Sequence, residues 1–181
     1  MTLLGGLIPA SATVEIDRVR NTHGAAVRAL PVSADPSQIE LLKHLDQVDG
    51  ASRNLDKLTD PRIRAFAEML LCTELAGQMA EIWLFRREKE EIPADIAASI
   101  REGAKRDNDR AEWLLDRLAE CEAERDQIRG RAIDRIRQIF VTDWQMVEAM
   151  AQKLAYEGTL TKDQIFDVFE AELGNLETTD Y

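Results

Sequence analysis

Asp60-Pro61-Arg62-Ile63-Arg64-Ala65-Phe66-Ala67-Glu68-Met69-Leu70-Leu71-Cys72-Thr73-Glu74-Leu75 is the stretch that settles the fold class. Asp60 before Pro61 pairs an N-cap with a first-turn proline, whose missing N–H is one that a helix start leaves unbonded anyway. Ile63, Phe66, Ala67, Leu70, Leu71 and Leu75 follow at three- and four-residue intervals. That spacing lines one side of an α-helix and predicts a helix from Pro61 to about Phe85.

The same periodicity continues toward the C-terminus. Pro93 opens a short helix holding Ile96, Ala97 and Ile100, and another begins near Lys105 with Ala111, Leu114, Leu115 and Leu118. Residues 119 to 131 are densely charged and either extend that helix or bend it at Gly130. Ile133, Ile136, Ile139 and Phe140 resume the stripe. Thr142-Asp143 is expected to cap a segment carrying Trp144, Val147, Ala151 and Leu154. Gly158 suits a C-terminal cap. Thr161 with Gln164 three residues on is a capping box, opening a last helix with Ile165, Val168, Phe169 and Leu173, expected to stop at Gly174. Glu177 to Tyr181 reads as a frayed tail.

The chain changes character before residue 60. Thr13 to Val19 alternates and is rich in β-branched residues, which predicts a strand. Asn21 to Gly24 is a turn cluster, and Ala25 to Leu30 reads as a returning strand stopped by Pro31. Ser33 to Ser37 reads as a loop, Gln38 to Val48 as a short helix, and Asp49 to Thr59 as irregular. The expected architecture is mainly α with a small N-terminal β hairpin. It is a single domain over 1–181, with a mixed part to residue 60 and a helical part over 61–175.

Composition bounds the function. Of 181 residues, 45% are apolar and 31% charged, the balance of a globular domain with a core. A net charge of -11 argues against nonspecific nucleic-acid binding, which needs lysine and arginine against phosphates. No apolar run approaches the roughly 20 residues that span a bilayer. Cys72 and Cys121 form no CxxC pair and read as core or half-buried thiols in a reducing cytoplasm. There is no GxSxG, no GxxxxGK[ST] and no HExxH. His23 and His44 read as surface residues. Trp83, Phe85 and Trp113 are candidates for a contact surface, although core packing is the commoner fate of such aromatics. The charge runs Glu88 to Glu91 and Glu120 to Asp126 read as solvated helix faces.

Gly103-Ala104-Lys105-Arg106-Asp107-Asn108-Asp109-Arg110-Ala111 has the form G-A-x-x-D-x-x-x-A. It resembles the segment of FtsH-type zinc peptidase domains that supplies the third zinc ligand, and in that register the ligand falls on Asp107. Leu75 to Ile82 looks like the family's L-[AG]-G-x-x-A-E helix. Val14 to Ile16, Gly24 to Ala26 and Leu30-Pro31 look like its small strand, glycine turn and Leu-Pro sequence. Met150 to Leu154, then Glu157 to Thr161, look like its closing helical pair. The resemblance covers about Thr13 to Phe169.

The resemblance implies a metallopeptidase ancestry with zinc in the intact family site and a peptide or protein substrate. It also implies an HExxH helix just before the small strand. Met1 to Ile8 looks like the tail of that helix, so the chain is expected to begin just downstream of the catalytic motif. Asp107 should then lie at a helix start and close to the first residues. One aspartate cannot hold catalytic zinc, which takes three protein ligands and a water. The 181 residues are therefore expected to hold no zinc and to be inactive, with endopeptidase activity only if the true start lies upstream. The alternative is a noncatalytic helical interaction or adaptor protein, cytoplasmic, with homo-oligomerisation as one use of its faces.

Overall fold

The computed structural model describes the backbone of residues 7–17, 22–31, 35–48, 57–88 and 91–177, and the side chains of 35–48, 57–87 and 91–172. The chain is mainly helical. Its backbone contacts divide into two compact units, one built on Ser33–Phe140 and the other on Gly6–Val32 with Val141–Tyr181. Residue 60, where the composition changes, is not a boundary between them.

The first unit holds α1 (Pro36–Asp46), α2 (Pro61–Glu88), α3 (Ala94–Gly103), α4 (Lys105–Leu118) and the opening part of α5 (Glu122–Glu157). Asp35 caps α1, accepting from Ser37 N–H at 2.9 Å with Pro36 in the first turn. The helix thus begins inside the expected Ser33 to Ser37 loop, and the cap chemistry explains why. Asp60 accepts from Arg62 N–H at 2.8 Å at the start of α2. This backbone hydrogen bond, helped by the Arg62 guanidinium, holds the Asp60 carboxyl below its ordinary range.

The apolar stripe of α2 is the centre of this core. Ile63, Phe66, Ala67, Met69, Leu70, Leu71 and Cys72 are buried, and so are Ala111, Trp113, Leu114, Leu115 and Leu118 of α4. The packing of α2 on α4 is the most extensive helix pairing in the unit. Trp113, expected as a surface candidate, is 6% exposed; it stays inside under the Arg117 guanidinium, 4.9 Å from its ring centroid. Cys72 is buried, and burial raises its thiol pKa. Cys121 is exposed, so it is not a core thiol. His44 is exposed in the last turn of α1.

The break between α4 and α5 falls at Ala119 to Cys121, and α5 runs straight through Gly130. Distant cations fix that break. Arg64 Nη1 donates to Leu118 O at 2.7 Å, and Lys57 Nζ donates to Asp116 O at 2.7 Å and to Ala119 O. Positive groups there satisfy the orphan carbonyls and the negative end of the α4 dipole. On the other side Arg125 binds both Glu112 and Asp116, and Arg129 reaches Glu112 at 2.6 Å, tying α5 back to α4.

The second unit contains β1 (Leu7–Asp17), β2 (Thr22–Pro31), the last part of α5, β3 (Thr159–Thr161) and α6 (Lys162–Glu177). The sheet order is β2-β1-β3 with antiparallel pairs. Register shifts between Pro9 and Ser11, where Pro9 has no N–H for the ladder. Leu7 and Ile8 belong to β1, not to the tail of a helix.

Asp143 interrupts the helical backbone of α5 at φ -124°, ψ 20°, and Thr142 Oγ1 donates to Asp143 Oδ2 at 2.9 Å. The expected Thr142-Asp143 cap is therefore a kink inside α5. Gly158 takes φ +75°, a conformation costly to any residue with a Cβ, and its N–H closes α5 on Leu154 O at 2.8 Å. The capping box is complete: Thr161 N–H donates to Gln164 Oε1 at 2.8 Å and Gln164 N–H to Thr161 Oγ1 at 3.4 Å. Leu160 and Ile165 form a small core with Met150, Leu154 and Phe169. Helix α6 continues through Gly174 to Glu177 rather than ending at the glycine. Asn21 of the expected turn, residues 49 to 56 of the expected irregular stretch, and residues 178 to 181 of the tail lie outside the described residues, as do Met1 to Gly6 and the side chain of His23.

Candidate functional site

Asp107 is the third residue of α4, in its first turn, where the positive helix end favours a carboxylate. Its carboxylate faces α2. A Cβ built on Gly77 would stand 4.0 Å from Asp107 Oδ2, an ordinary van der Waals contact. The two segments singled out in the sequence, Leu75 to Ile82 and Gly103 to Ala111, are thus brought against one another at Gly77 and Asp107. The expected nearness of Asp107 to the first residues falls on Met1 to Gly6, outside the described residues.

Glu74, one turn before Gly77 on α2, joins the cluster. Its side chain is only 10% exposed and lies 3.8 Å from Arg110 Nη1. Arg110 also binds Asp46 of α1 at 2.8 Å through Nη2, so one guanidinium links three helices. Arg110 Nε has no hydrogen-bond partner among the described residues. Three carboxylates, Asp46, Glu74 and Asp107, therefore share two guanidiniums, Arg106 and Arg110.

That imbalance shows in the titration. Burial pushes the Glu74 carboxyl up to about 7; Arg110 opposes the rise, while Asp107 and Asp46 add to it. Burial also raises Asp107, against the pull of Arg110 and Arg106. A carboxyl poised near neutrality can give or take a proton at working pH, which is the property of functional acids and bases.

Among the described residues no three of His, Cys, Asp and Glu converge as metal ligands. Arg106 and Arg110 already supply the positive charge that faces Asp107, and a divalent cation would have to displace their influence. No helix among the described residues is long and apolar enough to cross a membrane.

Sequence patterning singled out Asp107 as a candidate zinc ligand and did not single out Glu74. The available signal was a lone carboxylate set between Cys72 and Leu75 in an otherwise apolar run. Comparison with protein-family models, curated proteins and solved structures returns no match to this chain.

Proposed function

We propose that the chain is a helical domain of FtsH-type peptidase ancestry whose 181 residues act as a noncatalytic scaffold. The approach of Asp107 to Gly77 supports this reading. It joins the two segments that resemble the peptidase family, with the aspartate at a helix start as the resemblance requires. In an intact family site Asp107 would be the third ligand, and zinc would supply a water of lowered pKa. The other two ligands come from an HExxH helix, and these 181 residues have no HExxH.

The test is metal content and cleavage together. Purified and dialysed against zinc-buffered solution, the chain should retain less than about a tenth of an equivalent of zinc, since catalytic zinc needs three protein ligands. It should leave unfolded casein intact. One tightly held equivalent of zinc, lost in Asp107→Ala, would overturn the noncatalytic reading.

The alternative use of the scaffold, as an interaction protein, is favoured by a separate observation: an open apolar groove on the first unit, lined by α2 and α5.

A further inference from the structure

Two recesses lie between α2 and α5, both within Ser33–Phe140. The larger has a volume of about 430 Å³ and a floor of Ile82, Trp83, Ile133 and Phe140. Trp83 and Phe140 pack ring to ring there, with centroids 5.8 Å apart and planes tilted by 52°. Arg86, Arg87 and Arg137 line it, and no carboxylate among the described residues does. The smaller recess, about 230 Å³, brings in Arg131 and Arg135 with one acid, Glu68.

This charge is the reverse of the molecule's. The chain carries 34 acidic against 23 basic residues, yet among the described residues the two recesses together show five arginines and one glutamate. Arg137 reaches Asp134 at 3.5 Å with both side chains well exposed, a kind of pair worth little in water. It can exchange that partner for another carboxylate at small cost.

We infer that the α2–α5 groove is a docking site for an acidic amphipathic peptide segment, with apolar side chains on the Trp83–Phe140 floor and carboxylates on Arg86 and Arg137. Guanidinium forks match carboxylates in pairs, and a helix laid in a groove presents one apolar stripe with charges beside it. Net charge -11 repels any anion, but a short segment sets its few carboxylates only against the groove arginines, whereas nucleic acid or an anionic vesicle extends past them over the acidic surface. An alkyl tail needs enclosure on all sides, which an open groove does not give. The inference stands on the groove alone and is independent of the peptidase ancestry.

The probe is a fluorescein-labelled peptide of about fourteen residues, with leucine and phenylalanine at i, i+3, i+4 and i+7 and glutamate at the flanking positions. Fluorescence anisotropy with the full chain at low salt should show micromolar binding. Arg86→Glu combined with Arg137→Glu should weaken it on the order of tenfold or more, each tenfold corresponding to about 1.4 kcal/mol. Arg101→Glu, an exposed change on α3, should leave it within about twofold. Amide chemical-shift changes in the wild-type chain should concentrate on residues 79–87 and 133–140, which keeps the test valid if the double variant fails to fold. No binding up to millimolar peptide would overturn the inference. So would equal loss in Arg101→Glu, shifts centred elsewhere, or capture of anionic vesicles in preference to the peptide.

Discussion

Glu74→Gln is expected to stabilise the protein at pH 8 by about 3 kcal/mol and to leave it unchanged near pH 4. The reasoning is linkage. The carboxyl is raised to about 7 in the fold against an ordinary glutamate value of about 4.3 in the unfolded chain. Below the ordinary value both states are protonated and Glu74 contributes no difference. Between there and about 7 the unfolded state ionises first and gains, so stability falls as pH rises. Above about 7 the loss is complete and constant. Glutamine keeps the shape and removes the charge, so the gap between the variant and the wild type should open across that window and then level off.

For a chain of this size the gain at pH 8 corresponds to roughly 6–12 °C in Tm. Urea unfolding of both proteins from pH 4 to pH 8.5 measures it. A variant less stable than the wild type at pH 8 would show that Arg110 holds Glu74 as a net stabilising anion. Asp107, also raised by burial, acts in the same direction, so the wild type itself should lose stability over this range.

Leu114→Ala is expected to cost about 3–5 kcal/mol, the range for deleting a fully buried leucine side chain. Leu114 is 0% exposed and sits one turn beyond Arg110 on α4, where α4 packs on α2. The cavity would open beside the residues that position the carboxylate cluster. Equilibrium unfolding in urea gives the number. A loss under about 1 kcal/mol would mean that the α2–α4 seam is not the centre of the first unit's core.

Which features were visible in the sequence follows from how local their physics is. The stripe from Ile63 to Leu75, the capping box at Thr161 and Gln164, and the closing role of Gly158 all depend on residues within a turn or two of each other. Each has the expected geometry. Gly130 and Gly174 misled because a glycine inside a helix costs only about 1 kcal/mol relative to alanine, which a long packed helix absorbs. The real break after Leu118 depends on Lys57 and Arg64, more than fifty residues away in sequence, and no local pattern marks it.

Trp113 shows the same limit: its spacing allowed either surface or core, and the packing of α4 decided for the core. At the site, the Gly103-Ala104 context singled out Asp107 as a candidate zinc ligand, but not its place beside Glu74 and Arg110. Glu74 became apparent only when folding brought Arg110, Asp46 and Asp107 around it.

The candidate site rests on Asp107 and Glu74 sharing one half-enclosed, charge-imbalanced junction of α1, α2 and α4. Carbon-13 NMR titration of the side-chain carboxyls tests that directly, with Glu74→Gln assigning the Glu74 signal and Asp107→Asn the other. Glu74 should titrate near 7 and Asp107 above the ordinary aspartate range, and Asp107→Asn should lower the Glu74 midpoint. Both groups titrating as ordinary solvent-exposed carboxylates, each unaffected by removal of the other, would contradict it.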